Sequence, residues 1–172
     1  MLNKIKKHDE RKTPPEIITP LLPFLKDFEK NINKKPIIWC PFDKEDSYYV
    51  KIFKENWYNV VYSHIEYWQN FFEYEPLQRD IIISNPPFSN KKLFFKRAIE
   101  LWKPFCLLSP IWWLNDKTPY DLFKDVWLQL IIPDIRINFI WAKKERPSFK
   151  SVYYCRNFLI KKDIEFISLR KK

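Results

Sequence analysis

The sequence predicts an α/β fold built on a mostly parallel sheet. Three apolar runs, at residues 36–40, 59–63 and 80–84, have the composition of short buried strands. Segments with helical spacing of apolar residues lie between and after them, and a fourth apolar run follows at 105–108. Strands that alternate with helices form parallel sheets, which bind ligands at the carboxyl ends of their strands. Residues that directly follow a strand are therefore the candidates for function.

The N-terminal region divides into a basic arm and the start of the folded part. Residues 1–12 have many Lys and Arg residues and few apolar anchors, so we expect a flexible arm, followed by one domain over 13–172. Thr13 and Glu16 have the spacing of a capping box, with Pro at the first helical position. This pattern predicts a helix that runs through Leu21, where further prolines interrupt it.

The next segment has the pattern of one βαβ unit. The strand at 36–40 is ended by Pro41, and the strand at 59–63 is rich in β-branched residues. Ser47 stands where it can accept a hydrogen bond from the first turn of a helix over 48–56. This unit predicts the first two parallel strands and the helix that connects them.

The strand at 80–84 has three consecutive isoleucines and stops abruptly at Asn-Pro-Pro. A helical stripe over 93–102 and the strand at 105–108 follow it. The last third of the chain differs. It predicts a helix over 120–130 and then two β-rich runs, at 135–141 and 152–160, paired as an antiparallel hairpin on the edge of the sheet.

The composition excludes several classes of site. The chain has 172 residues, close to the usual size of one domain, with 46% hydrophobic and 19% aromatic residues, enough for a core. It contains no glycine, which excludes Walker A loops, dinucleotide fingerprints and nucleophile elbows. Asparagine is the best substitute for glycine in the left-handed backbone conformation. We expect that conformation at Asn33, Asn59, Asn90 and Asn115.

Charge and cysteine content indicate the partner and the compartment. The 31 Lys and Arg against 21 Asp and Glu give a net charge of +10, which favours nucleic acid as partner, although it also helps to keep an aromatic chain in solution. Cys40, Cys106 and Cys155 lie in apolar runs and are expected to be reduced core residues, which predicts a cytoplasmic location. Two histidines are too few for a zinc site, and no segment predicts a membrane span or a signal peptide.

The motif Asn85-Pro86-Pro87-Phe88, directly after a buried strand, resembles the active-site signature of S-adenosylmethionine-dependent amino-group methyltransferases, best known in the adenine-N6 enzymes. The likeness is greatest to small stand-alone methylases of the kind that phages carry, and it implies a single Rossmann-like methyltransferase domain. In that family the polar side chain and the carbonyl of the following Pro accept hydrogen bonds from the target amine, and the aromatic ring stacks on the flipped base. The alternative is that Asn-Pro-Pro only ends the strand.

The same resemblance implies a set of residues that bind S-adenosylmethionine. They lie in the N-terminal capped segment, in the loop after the first strand, and after the second strand. In chain order they are Thr13, Pro14, Pro41, Phe42, Asp43, Ser47, His64, Asn70 and Phe71. Three of them have ordinary structural alternatives: a capping box for Thr13, a helix cap for Ser47 and a strand-end histidine for His64.

Two groups of cations are predicted to border the site and to neutralise phosphates of nucleic acid, with DNA favoured over RNA. They are Lys91, Lys92, Lys143, Lys144 and Arg146. Trp112 and Trp113 either stack on exposed bases or pack in the core. The function expected from these residues is methylation of adenine N6 in DNA. The alternatives are a methyltransferase fold that has lost catalysis and binds nucleic acid or protein, and a methylase of RNA or of a protein amide.

Overall fold

Seven β-strands and five α-helices form the part of the chain that the structure, a computed structural model, describes: residues 12–137, 139 and 150–170. The helices are α1 (Pro15–Ile18), α2 (Leu22–Ile32), α3 (Tyr48–Glu55), α4 (Lys91–Glu100) and α5 (Lys117–Phe123). The strands are β1 (Ile37–Cys40), β2 (Asn59–Tyr62), β3 (Ile81–Ser84), β4 (Phe105–Pro110), β5 (Gln129–Pro133), β6 (Ser151–Arg156) and β7 (Ile164–Ile167). None of the helices within these ranges is long and apolar enough to cross a bilayer.

The strands form a single sheet in the order β2-β1-β3-β4-β6-β5-β7. Parallel pairs join β2, β1, β3 and β4, and a further parallel pair joins β5 to β7. Strand β6 lies antiparallel to both β4 and β5. The sheet is therefore mixed but mostly parallel, which confirms the predicted α/β class.

The first part of the sheet closely follows the sequence-based prediction. Strands β1, β2, β3 and β4, with α3 and α4 between them, lie within two residues of their predicted bounds. Their apolar residues alternate between the two faces: Ile38 and Ile83 pack on one face, and Trp39 and Ile82 pack on the other. Both faces are covered, which explains why these strands have continuous apolar sequences.

The N-terminal helical segment is longer than predicted. Helix α1 is followed by a 3₁₀ turn at Thr19–Leu21 and then by α2, so the segment does not end at its prolines. Each Pro lies in the first turn of a new helical piece, where a backbone N–H has no helical partner. The predicted capping box is wrong, because the residue before α1 is Pro14 and no side chain caps this helix.

The predicted C-terminal edge hairpin is also wrong. Strand β6 lies inside the sheet, and its first five residues are buried because both faces are covered. Its partners are β4 and β5, and β5 occupies the end of the predicted 120–130 helix, which stops at Phe123 as α5. Residues 134–137 form no strand, and the rest of the predicted 135–141 strand, except Phe139, lies outside the described residues.

Two residue types, Asn and Trp, adopt the positive φ angles that glycine usually adopts. Asn33 and Asn90 have positive φ angles of 53° and 61°, as predicted. The prediction is wrong for Asn59, which lies in β2, and for Asn115, which ends a 3₁₀ turn. The other described residues with positive φ are Trp57, Trp68, Trp102 and Asn157. The tryptophans adopt an unfavourable backbone conformation for a residue with a Cβ, so tertiary structure overrides local preference there.

Cys40, Cys106 and Cys155 are free thiols in the core, as predicted. Burial raises the pKa of the Cys40 and Cys106 thiols well above its usual value. A raised pKa leaves these thiols protonated and unreactive at neutral pH, so they act as small core residues.

Candidate active site

The chain reverses direction across the sheet between β1 and β3. Strand β2 lies on one side of β1 and β3 on the other, so the connections from β1 and from β2 run in opposite directions. Such a switch point opens a crevice at the carboxyl ends of the two strands, where α/β sheets bind their ligands. The loop 41–47 after β1 and the loop 85–90 after β3 border this crevice.

The loop after β3 holds the Asn-Pro-Pro-Phe motif. Asn85 directly follows the buried Ser84 and is half-buried, and Pro86 is buried behind it. The Asn85 side-chain Nδ2 donates a hydrogen bond to Thr13 Oγ1 over 3.1 Å. The two prolines fix their own φ angles and have no N–H groups, so the direction of the Pro86 carbonyl is set by the backbone.

Thr13 lies beside Asn85, at the start of the described N-terminal segment. It is buried and accepts the hydrogen bond from Asn85. Pro14, also buried, adopts an extended conformation, and α1 starts at the next residue. The N-terminal segment therefore contacts the loop after β3.

Asp43 is the central residue of the loop after β1. Its side chain is only 8% exposed, and its carboxylate accepts hydrogen bonds from the hydroxyls of Ser84 and Ser47. Burial raises the pKa of Asp43 to about 6, although both hydroxyl bonds oppose the shift. None of the ion pairs between described residues includes Asp43. The crevice thus contains a buried carboxylate that a cationic ligand would stabilise.

Ser84 was missed by the sequence analysis. It is the last residue of β3, fully buried, and its hydroxyl donates to Asp43 across the gap between the two strands. The available signal was its position, because a polar residue that ends an otherwise apolar strand must find a hydrogen-bond partner when it is buried. The bond joins the loop after β1 to the strand that leads into the loop after β3.

Ser47 caps helix α3 as predicted, and its Oγ accepts from the Val50 N–H over 3.3 Å. Pro41 is buried at the start of the same loop. The exposed side chain of Asp46 pairs with Lys12 over 3.1 Å, so the last residue of the predicted basic arm lies on this loop. Residues 1–11 of that arm are outside the described part of the chain.

Phe42 and Phe71 belong to an aromatic cluster. Their ring centres are 4.9 Å apart, and Phe42 also contacts Phe94 at 5.0 Å. Phe71 is 2% exposed and packs on Trp39 at 5.3 Å. Both rings are part of the core on the α4 face of the sheet, so a contact with a cofactor is restricted to the exposed part of Phe42.

The two polar residues predicted after β2 form local hydrogen bonds. His64 is buried, and its Nδ1 accepts from the Glu66 N–H over 3.2 Å at the start of a 3₁₀ turn. Asn70 Oδ1 accepts from the Phe72 N–H over 3.2 Å, which is an Asx turn. Each of these two side chains therefore accepts a hydrogen bond from the backbone N–H two residues further on.

Phe88 and Lys91 border the site on its other side. The Phe88 ring is half-buried and meets Phe139 edge to face, with ring centres 5.9 Å apart. Lys91 Nζ donates to the Phe88 carbonyl over 3.0 Å and lies 5.0 Å from the centre of the Trp112 ring. Trp112 is 52% exposed, whereas Trp113 is in the core. Core packing is thus confirmed for Trp113, whereas stacking of Trp112 on bases stays a prediction.

Lys92 is exposed on the first turn of α4. It lies close enough to Asp121 to help lower the pKa of that carboxyl, after the larger effect of the hydrogen bond from Lys117. Lys143, Lys144 and Arg146 lie outside the described residues. Of the predicted cations that the structure describes, Lys91 therefore lies beside Phe88 and Lys92 lies near Asp121.

Other features lie away from this edge of the sheet. A cavity of about 330 Å³ is lined by residues of α2 and by the residues that precede β1 and β2, which are at the opposite ends of these strands. No group of three or more His, Cys, Asp or Glu side chains in the described ranges is placed to hold a metal ion. Comparison with family models and with curated proteins gives no significant match, so the function is argued from the site itself.

Proposed function

We propose that this protein is an S-adenosylmethionine-dependent methyltransferase that acts on the exocyclic N6 amine of adenine in DNA. The observation that supports it best is the position of Asn85 and Pro86. They follow β3 at the switch point of the sheet, next to a loop with the buried carboxylate of Asp43. A target group and a cofactor bound at these two loops would lie side by side.

Asn85 and the Pro86 carbonyl would act as acceptors for the two N–H groups of the target amine. An aromatic amine is a poor nucleophile because its lone pair is delocalised into the ring. Two fixed acceptors on its hydrogens return electron density to nitrogen and favour attack on an electrophilic carbon. Phe88 would offer the exposed part of its ring to a base that has left its stack.

The residues of the crevice fit S-adenosylmethionine at its cationic end. The buried Asp43 carboxylate, with hydroxyl donors but no cationic partner among the described residues, would hold the ammonium group. S-adenosylmethionine supplies a methyl group as an electrophilic carbon on a sulfonium. Pro41 and the exposed part of Phe42 would shape the pocket beside it, in a loop where other members of the resembled family have glycine.

Nucleic acid, with DNA favoured over RNA, is the proposed partner because Lys91 and the exposed ring of Trp112 lie beside Phe88. Lys91 links the Phe88 carbonyl to the Trp112 ring, and Lys92 and Lys117 lie near the single carboxylate of Asp121. Stacking on an aromatic ring combined with phosphate neutralisation is typical of proteins that bind unstacked bases. We expect Trp112→Ala to weaken oligonucleotide binding, with Trp57→Ala, on the opposite edge of the sheet, as a matched control.

The proposal is tested by incubating purified protein with methyl-labelled S-adenosylmethionine and separate pools of duplex DNA, single-stranded DNA and RNA. The expected result is label in N6-methyladenine of DNA, identified by nucleoside analysis, and its loss in Asn85→Ala. Label only in RNA would replace the substrate while retaining the chemistry. No transfer to any pool, beside an active Asn-Pro-Pro-Phe enzyme, refutes the proposal.

A second candidate, a binding protein that has lost catalysis, is favoured by the local hydrogen bonds of His64 and Asn70 and by the burial of Phe71. Calorimetry with S-adenosylmethionine separates the two. Micromolar binding supports the enzyme, and absence of binding together with retained affinity for oligonucleotides supports the second candidate.

A further inference from the structure

We infer that Thr13 is the positioning residue that orients the Asn85 amide toward the target amine, an inference that rests on the proposed function. Thr13 and Asn85 are 72 positions apart, and the hydrogen bond between their side chains is formed only in the folded protein. The bond is short enough, at 3.1 Å, and sufficiently shielded, with Thr13 6% exposed, to fix the amide.

Orientation matters at Asn85 because an amide is not symmetrical. Its oxygen accepts hydrogen bonds, whereas its NH₂ group only donates them. A target amine presents N–H groups, so Oδ1 must face it and Nδ2 must face elsewhere. Thr13 Oγ1 accepts from Nδ2, so Nδ2 is directed toward Thr13 and Oδ1 lies at the opposite end of the amide group. If Nδ2 faced the substrate, its N–H groups would face the N–H groups of the target amine. Only the Pro86 carbonyl would then accept a hydrogen bond from that amine.

The segment that holds Thr13 is itself firmly anchored. Pro14 and Pro15 restrict the backbone that follows it, and Ile17 and Ile18 are completely buried in the core. Tyr153 on β6 donates from its hydroxyl to the Ile17 carbonyl over 3.3 Å. Thr13 is therefore attached to the sheet through the core rather than through a surface loop, as a positioning residue requires.

The test compares Thr13→Val, which is nearly isosteric but has no hydroxyl, with Thr13→Ser, which retains it. Thr19→Val is the matched control, because Thr19 lies on the same segment, is exposed, and bonds only the Pro15 carbonyl in the described contacts. We expect Thr13→Val to lower kcat about five- to tenfold, the value of one net hydrogen bond. Thr13→Ser and Thr19→Val should remain within about twofold of the wild type, and the Kd for S-adenosylhomocysteine should be unchanged in all three.

Asn85→Asp gives a second readout, because both carboxylate oxygens accept and a flip has no consequence. In that background Thr13→Val should lower kcat by no more than about twofold. An equal loss in both backgrounds, or a loss in Thr13→Val that Thr13→Ser does not restore, overturns the inference. Should Thr13→Val fail to fold in a thermal melt, Thr13→Ala is measured in its place.

A readout independent of activity separates this inference from the proposed function. The NMR signals of the Asn85 side-chain NH₂, identified by their loss in Asn85→Asp, should exchange with solvent more slowly in the wild type than in Thr13→Val. Slow exchange in a wild type that transfers no methyl group would refute the proposed function and leave the Thr13 contact established. Equal exchange in both proteins refutes the orienting contact.

Discussion

The loops after β1 and β3 leave the same edge of the sheet, but they are stabilised in different ways. The loop after β1 is held by side chains: Ser47 caps α3, and Asp43 accepts hydrogen bonds from Ser47 and Ser84. In the loop after β3 two prolines and the left-handed Asn90 before α4 restrict the backbone. Two side-chain hydrogen bonds add to this, from Asn85 to Thr13 and from Lys91 to the Phe88 carbonyl. The buried carboxylate of Asp43 makes the loop after β1 sensitive to pH, whereas the two prolines restrict the backbone of the loop after β3.

We expect the largest effect on activity from a substitution in the loop after β3. Asn85→Ala should reduce methyl transfer about 100- to 1000-fold, because it removes an acceptor that acts chiefly in the transition state. Stability should fall by only about 1 kcal/mol, the net value of the bond to Thr13. Enzyme assays and thermal unfolding on one preparation measure both.

The control for Asn85→Ala is Asn56→Ala, at the end of α3 on the opposite edge of the sheet, whose Nδ2 donates to the Ile52 carbonyl. Asn56→Ala should lower the free energy of unfolding by a similar amount and retain the methyl-transfer rate of the wild type. If Asn85→Ala unfolds at a lower temperature but keeps its specific activity, the motif only ends a strand.

A smaller effect, on cofactor binding, is expected from a substitution in the loop after β1. Asp43→Asn should weaken binding of S-adenosylmethionine about 10- to 100-fold at pH 7.5, because a charged hydrogen-bond partner is lost. In the wild type the affinity should fall as the pH drops below about 6, where Asp43 takes up a proton. Titration calorimetry from pH 5 to 8 measures this, and a variant that retains the pH dependence would show that another group is responsible.

The raised pKa of Asp43 also predicts how the stability of the free protein changes with pH. The folded pKa of about 6 lies above the ordinary 3.8, so the folded state binds more protons between these values. The contribution of Asp43 to the free energy of unfolding is therefore fully present below about pH 4. It falls by up to about 3 kcal/mol as the pH rises through 6.

Asp43→Asn should lack this dependence, measured as the difference between the two unfolding curves across pH. The control is Asp46→Asn in the same loop, where the hydrogen bond from Lys12 lowers the pKa of Asp46. The pKa of Asp46 is shifted in the opposite direction from that of Asp43, so the contribution of Asp46 to stability is lost as the pH falls.

A smaller effect is expected from Ser47→Ala, which removes the side-chain cap of α3. The free energy of unfolding should decrease by about 1 kcal/mol. The loss of one donor should also raise the pKa of Asp43 further, so the pH at which cofactor affinity falls should move upward. Urea unfolding and the pH titration measure the two consequences, and an unchanged pH midpoint would contradict the bond between Ser47 and Asp43.

The smallest effect is expected at Asn90, where the backbone rather than the side chain forms the cap. Asn90 has a φ of 61° and makes no side-chain cap bond. Asn90→Gly should change stability by no more than about 0.5 kcal/mol, because glycine adopts a positive φ without a steric penalty. Asn90→Ala should cost about 1 kcal/mol, because alanine has the Cβ but lacks the short polar side chain that makes this conformation accessible to asparagine. Equal costs in urea unfolding would mean that the positive φ does not determine the preference at this position.

The two loops also differ in how well they could be predicted. The Asn-Pro-Pro stop and the Ser47 cap are local patterns, and the residues lie where the sequence places them. The link from Ser84 to Asp43 and the bond from Asn85 to Thr13 join residues that are distant along the chain. Hydrogen bonds of this kind depend on strand order and on how the N-terminal segment packs, which no local pattern contains.

The same distinction applies to the fold. The strands β1 to β4 and their helices could be predicted from local sequence, because a strand buried on both faces requires a continuous apolar run. The place of β6 between β4 and β5 depends instead on contacts between residues that are distant along the chain. Strand β5 begins at Gln129, whose side chain bonds the backbone of Phe158 and Leu159 about thirty residues away. Such long-range pairing fixes which apolar run becomes a strand, because a short run satisfies its backbone as helix or strand until a partner lies beside it.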